Sequence, residues 1–396
     1  MLTPPVVITG IGAITALGNS ARASWEGLLQ GRSGVRTLSR CAPVSGYAAA
    51  AAEIDIALAP FQDRLQAYAL RAASEAMGHA GFRFGPPEGR RLAIVMGCSL
   101  LGAESLMALA YRCDTTPGHV PPWLLPAAMA NGPASQLAGM YKAEGLALTI
   151  NTACCSGMDA IGLGRLLLQS HQADIVLCGA AEAQVVSWVI ATSGALRTMA
   201  KAGFSPEESS RPWDAQRTGM VIGEGAACVV LERAGEAGGR GLASIDAYAS
   251  ACAPVSFVTP DLESVVRCLG AVRDTANPAR QQGLVVHGSG TLLGDHVEMA
   301  AIAEVFGLDC PQVHAWATKG AFGHPLGAGC AIDIVMSVMA LREHAVPPTR
   351  NLYQLDPQAP PVRMAQYPVY HPMGSITLIA MGFGGHHAAM RLGACL

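Results

Sequence analysis

The chain has 396 residues, enough for one large domain or two ordinary ones with a substantial core. Apolar residues make up 51% and charged residues 14%, which points to a compact protein with much buried surface, including room for a subunit interface. With 26 basic against 29 acidic residues the formal charge is −3. That balance gives no reason to expect nucleic-acid binding, so an anionic ligand would have to be held by local features.

No export signal is visible: the first basic residue is Arg22, so the N-terminus lacks a positive n-region. No clean run of about 18 apolar residues appears, and no membrane span is expected. The twelve cysteines are scattered, without a Cys-x-x-Cys pair. They read as reduced, buried, small hydrophobes in a cytoplasmic protein, with no zinc-site spacing.

In chain order, "VVITGIG" (6–12) reads as a strand. Its continuation "ITGIGAITALG" (8–18) has glycines that could cradle a pyrophosphate at a helix N-terminus. The acidic residue expected about 20 positions later is missing, since 28–36 reads "LLQGRSGVR", and Tyr141 and Lys142 are adjacent rather than spaced as a Tyr-x-x-x-Lys pair. A tight turn in a core strand is the better reading. Further strands are expected at 92–99, 146–153, 174–182 and 226–233, with a helix at 157–170.

"GEAGGRG" (235–241) then breaks the pattern, which restarts with strands at 242–250, 283–290, 312–319 and 376–383. Helix 328–344 is apolar around most of its circumference, with Asp333 and Ser337 as interruptions before Arg342. A helix apolar on all sides lies buried between layers. Strand–helix alternation with a restart near 240 predicts an α/β fold of two similar halves, 1–240 and 241–396, with buried central helices.

Three stretches carry candidate chemistry. "NTACCSGMDAIG" places Cys154 where a strand gives way to a helix, so the helix dipole and free backbone N–H groups favour a thiolate or a developing oxyanion. On these residues alone a buried structural cysteine remains as good a reading. "VVHGSGTLLGDHVE" puts His287 directly after an apolar strand, and "ATKGAFGHPLGAG" puts Lys319 and His324 between a strand and the buried helix. Two histidines in glycine-bounded loops at strand C-terminal ends fit the place where open α/β sheets build sites.

With these stretches in view, the sequence resembles the β-ketoacyl-[acyl-carrier-protein] synthases of the thiolase superfamily, the condensing enzymes of type II fatty-acid and polyketide synthesis. "TACCSG" resembles the nucleophile motif; "SSRPWDAQRTGMVIGEGAACVVLE" (209–232), "HGSGTLLGDHVE", "TKGAFGH" and "GFGG" (382–385) follow in the family's order. The resemblance implies a thiolase-like α-β-α-β-α arrangement. It implies Cys154 as nucleophile, His287 and His324 as donors to an enolate, and the N–H groups of Cys154 and Phe383 as oxyanion hole. It further implies a Lys319–Glu298 salt bridge with Asp295 nearby, Ser289 and Thr291 on the pantetheine arm beside Gly288, Gly290 and Gly294, and Phe383 with Gly384 at the tunnel mouth. No metal or other cofactor is implied, since substrates ride on the phosphopantetheine of an acyl carrier protein.

The reaction so implied is decarboxylative condensation of an acyl group on Cys154 with a malonyl unit on carrier protein, in fatty-acid or, preferentially, polyketide-type secondary synthesis. The alternatives are an altered decarboxylase or acyltransferase, and a non-catalytic partner of the chain-length-factor type. A homodimer, or a heterodimer with a related ketosynthase or chain-length-factor subunit, is expected. Residues 121–145 are expected at the acyl tunnel and dimer interface, and Arg64, Arg71, Arg197 and Lys201 are candidates for carrier docking. Several positions depart from the family pattern: Ile379, Ala380 and Met381 before the "GFGG" motif, His386 and His387 after it, and Thr218 and Met220. These bear on substrate range more than on reaction type. Cys155 is expected to be a packing residue, since one helical step turns a side chain by about 100°.

Overall fold

The computed structural model describes residues 4–58, 62–253, 257–274 and 281–395. Its architecture is one structural sentence written twice. The first half lays down β1 (Val6–Thr15), β2 (Leu92–Gly97), β3 (Ala147–Ile150), β4 (Ile175–Glu182) and β5 (Gly225–Arg233). The chain then turns through Gly238 and Gly239, both at left-handed φ. The second half adds β6 (Ala243–Cys252), β7 (Gln281–Val285), β8 (His314–Trp316), β9 (Ser375–Gly382) and β10 (His386–Ala394).

The spatial order is β3-β2-β4-β5-β1 in the first half and β8-β7-β9-β10-β6 in the second, with the short strand Arg363–Met364 outside β8. The pairings repeat as well. β3–β2 and β2–β4 are parallel while β4–β5 and β5–β1 are antiparallel. β8–β7 and β7–β9 are parallel while β9–β10 and β10–β6 are antiparallel. The halves join where β1 meets β6, through the pairs Val7 with Ser244 and Ile8 with Ala243.

Five helices complete the layers: α1 (Arg64–His79), α2 (Ser156–Gln169), α3 (Leu262–Val272), α4 (Leu292–Phe306) and α5 (Leu326–Glu343). α2 and α5 pack on each other, and each touches strands of both halves. α5 is buried nearly all round from Gly327 to Leu341, as its apolar circumference demands, and ends at His344 in the left-handed region. α1 covers the outer face of β1, β5 and β4; α3 covers β6 and β10, with α4 packed against it. The result is helix, sheet, helix, sheet, helix. Among the described residues no helix is long and apolar enough to cross a membrane.

The glycine motif of the first strand finds its explanation here. Gly10 and Gly12 lie inside β1, and α1 crosses directly over them. A Cβ at Gly12 would stand 2.1 Å from the Ala72 carbonyl oxygen, and one at Gly10 2.2 Å from that of Ala76. The glycines serve close helix–sheet packing. Nine expected strands are present; the strand β10 was not expected.

Candidate active site

The two central helices aim their N-termini at one place. β3 ends at Ile150, and the chain turns through Ala153, held at φ 52°, before α2 begins at Ser156. Asn151 Oδ1 accepts from the Ala153 N–H at 3.1 Å, and Ser156 Oγ donates to the Ala153 carbonyl at 2.6 Å. This turn lifts Cys154 off the helix and leaves it partly exposed. Burial nevertheless pushes its thiol up to about 12, with Lys319 pulling it down and Glu182 pushing it up. The backbone N–H groups of Cys154 and Phe383 lie where they pull the thiol down and so favour the thiolate.

Phe383 reaches that position because β9 ends against the turn. A Cβ at Gly382 would lie 2.9 Å from the Thr152 carbonyl oxygen and 3.1 Å from the Cys154 nitrogen, so only glycine permits this approach. Gly384 follows at φ 79° and donates its N–H to the Phe257 carbonyl at 2.6 Å. Cys155 points elsewhere. It is fully buried in the central core, and its Sγ donates to the His386 carbonyl at 3.4 Å.

His287 follows the C-terminal end of β7, and His324 precedes α5. Their rings stand edge to face, 5.2 Å between centroids, and both residues are buried. Burial holds both imidazoles well below the ordinary histidine range, and the Lys319 charge adds to it. Both are therefore neutral at physiological pH, each with one N–H to donate. The backbone of His324 is fixed between Val221 and Gly223, at 2.6 and 3.0 Å.

Glu298 lies between one and two turns into α4 and binds the His287 loop from beneath. It accepts from the N–H of His287, from that of Gly288 at 2.9 Å and from Trp213 Nε1 at 3.0 Å. Burial, then Asp295, pushes its carboxyl up to about 7. Asp295 accepts from the N–H of Trp213 at 2.9 Å and of Gly290 at 3.0 Å. These contacts correct the expected Lys319–Glu298 bridge. Glu298 is filled by three N–H donors, whereas Lys319 Nζ lies 3.3 Å from Asp333 Oδ2 on α5. Asp333 also accepts from Thr318 Oγ1 at 2.5 Å.

Ser289 and Thr291 share a hydroxyl–hydroxyl bond of 2.9 Å, and Thr291 caps α4 by accepting from the Gly294 N–H at 3.2 Å. Gly288 and Gly290 both take left-handed φ. Met220 is buried with Met199, Ile190 and Ile222 beside the His324 loop. Residues 121–145 form the helices Leu124–Ala128 and Gly132–Tyr141, which leave Leu125, Met129 and Met140 exposed. Arg64 is not a surface docking group: it is buried and paired with Glu224, and with Glu104 at 2.7 Å. Arg71, Arg197 and Lys201 are exposed.

Two functional-looking acids were missed. Asp333 showed its signal, a lone acid in an apolar buried helix, which must have a partner. Glu182, at the end of β4, accepts from Ser99 N–H and Gln184 Nε2, both at 2.6 Å, and burial raises it to about 7. Its strand gave no such signal.

A thiol flanked by two backbone N–H groups, with one buried ammonium acting on it and on two neutral imidazoles, brings together the groups that thiol-based acyl transfer with stabilised oxyanions would use. The pattern described as "Beta-ketoacyl synthase, N-terminal domain" matches residues 3–237, and its C-terminal counterpart matches residues 242–353. The chain belongs to the β-ketoacyl synthase family. It is 30% identical over 374 residues to 3-oxoacyl-[acyl-carrier-protein] synthase 2 of Coxiella burnetii, covering 89% of each chain. A solved structure of a type II PKS acyl-carrier protein in complex with its ketosynthase bound to the hexaketide superposes with a TM-score of 0.92 at 25% identity, covering 100% of both chains. The ishigamide ketosynthase/chain length factor gives 0.90 at 26%, again covering 100% of both.

Proposed function

We propose that this chain is a condensing ketosynthase that joins an acyl group held on Cys154 to a malonyl unit carried on an acyl carrier protein. The observation that carries the reading is the convergence of the Cys154 thiol, the Cys154 and Phe383 N–H groups and the neutral His287–His324 pair.

The steps follow from those groups. Cys154 sulfur attacks the carrier thioester; the new C–S bond forms, the old one breaks, and the thiol proton leaves with the pantetheine thiol. The two N–H donors hold the oxyanion. Malonyl thioester then loses CO2, and the electron pair of the broken C–C bond becomes an enolate. Neutral His287 and His324 donate hydrogen bonds to its oxygen. The carbanion attacks the Cys154 thioester, a C–C bond forms, and Cys154 leaves as a thiolate near Lys319. Lys319 and Asp333 hold the site's charge balance; Glu298 and Asp295 hold the His287 loop.

Substrates on phosphopantetheine fit the hydroxyl pair Ser289–Thr291, and exposed Arg71, Arg197 and Lys201 suit an acidic carrier protein. The solved neighbours described as a complex with an acyl-carrier protein and as a ketosynthase/chain length factor support both kinds of partner. Thiol chemistry of this kind suits a reducing compartment, the cytoplasm. The decisive experiment supplies acyl- and malonyl-loaded carrier protein and follows CO2 and product. Release of CO2 with an elongated β-ketoacyl product is expected. Release without elongation would favour a decarboxylase instead.

A further inference from the structure

The two oxyanion donors come from different halves of the chain. Cys154 lies between β3 and α2; Phe383 follows β9. Their relative position therefore depends on contacts between halves, and one such contact runs straight to the nucleophile turn. Asp159, in the first turn of α2, is buried. Its Oδ2 accepts from Thr152 Oγ1 at 2.5 Å, and its Oδ1 accepts from the Tyr248 hydroxyl at 2.7 Å. Thr152 lies two residues before Cys154; Tyr248 is on β6.

The surroundings are shaped for this bridge. A Cβ at Gly162 would stand 2.3 Å from the Tyr248 ring, so the glycine on α2 is what lets the ring lie against the helix. Thr152 carries the turn on both sides: its carbonyl accepts from the Cys155 N–H at 3.1 Å, and its N–H donates to Ser156 Oγ at 3.0 Å. β6 is registered with β10, Tyr248 opposite Met390 and Cys252 opposite His386. The strand that holds Tyr248 thus ends beside the hairpin that holds Phe383.

We propose that Thr152, Asp159 and Tyr248 form a tether between the halves that positions the left-handed Ala153 turn, and with it the Cys154 N–H, against the Phe383 N–H. They are positioning residues; none of them contacts the reacting atoms. The proposal rests on the ketosynthase reading for its catalytic meaning. Its geometric content is independent of that reading, because the same two N–H groups stabilise the free thiolate.

The test uses the full-length protein and two readouts. Iodoacetamide alkylation of Cys154, followed by peptide mass spectrometry across pH, reports the thiolate. Thr152→Val and Tyr248→Phe should each move the profile to higher pH, with alkylation at fixed pH falling up to about tenfold. Thr152→Ser, which keeps the hydroxyl, should restore the wild-type profile. The double variant should be no worse than either single one, because the three groups act as a unit. With acyl carrier protein, kcat for acylation should fall about tenfold at unchanged KM. A fall in melting temperature with an unshifted alkylation profile, a Thr152→Ser shift equal to that of Thr152→Val, or additive losses would overturn the tether. Wild-type protein that alkylates normally yet makes no elongated product would instead sink the ketosynthase reading, and the alkylation profiles would still decide the tether.

Discussion

Cys154 and Cys155 are adjacent and chemically identical, and their surroundings separate them. Cys154 meets two backbone donors and a nearby ammonium; Cys155 is sealed in the core with its Sγ on the His386 carbonyl. Cys154→Ala should abolish the acyl adduct seen by intact-protein mass spectrometry. Cys155→Ala should retain it and lose about 1 kcal/mol of stability, the cost of a small cavity. An adduct that survives Cys154→Ala would reverse the assignment. His387 is a second residue whose environment decides its behaviour. It is fully buried, both ring nitrogens lack a hydrogen-bond partner, and burial lowers it to about 4 despite Asp261. The unfolded chain takes up this proton near the ordinary histidine value of about 6.5, so the unfolded state binds more protons as pH falls from there towards 4. His387 therefore costs stability in that window. His387→Leu should be more stable than wild type at pH 5, by on the order of 2 kcal/mol, with the gap narrowing by pH 7.5 in urea titrations. Glu298 and Asp295 act in the opposite sense, since their raised carboxyls bind protons better when folded. They are common to both proteins, so the difference isolates His387, and parallel stability curves would refute the account.

Among the elements, the crossing of α1 over β1 shows what a glycine can be for. Gly12→Ala would drive a methyl group into the Ala72 carbonyl, and a loss of about 3 kcal/mol is expected from the forced separation of helix and strand. Gly78→Ala, on the exposed side of the same helix with open space around it, should be neutral or stabilising by about 0.5 kcal/mol. Equal effects at the two positions, measured by thermal or urea unfolding, would show that packing is not what Gly12 serves. Most elements were legible because buried parallel strands read as apolar runs and α5 reads as apolar all round. β10 was not: "HHAAMRLGA" carries two histidines and an arginine and has no β-branched run, and it is a strand because β9 and β6 flank it. Cys154, His287 and His324 were legible as candidates because each follows a strand, the two histidines in glycine-bounded loops. The Lys319 partner was not, because the choice between Asp333 and Glu298 depends on which carboxylate the loop N–H groups have already filled. Strand order, set by contacts hundreds of residues apart, also lay beyond local pattern.

At the scale of the molecule, the repeat explains why the candidate residues gather at one place rather than two. Cys154 stands between β3 and α2; His324 stands between β8 and α5, the matching position of the second half. Back-to-back packing of α2 and α5 brings these equivalent loops together, with the cysteine candidate in one half and the histidine candidates in the other. The same construction leaves one flank unfinished. β3 ends the first half's sheet, and Leu146 and Leu148 are exposed there. Leu106, Met107 and Tyr111 on helix Ala103–Thr115, with Leu125, Met129 and Met140, extend the apolar surface. An exposed sheet edge beside so much apolar surface is a liability for a monomer, and pairing with a second subunit through β3 would cover both. A second copy would do so through a two-fold axis, each β3 against its mate, and a related subunit would do so through the equivalent strand. Sedimentation of the purified chain should therefore give twice the chain mass at micromolar concentration. Leu148→Lys places an unpaired charge on that edge and should shift the mass to that of one chain while far-ultraviolet circular dichroism stays unchanged. A wild-type chain that sediments alone, and gains mass only with a separate ketosynthase-like subunit, would assign the flank to a heterodimer. A variant that stays dimeric would move the interface away from β3.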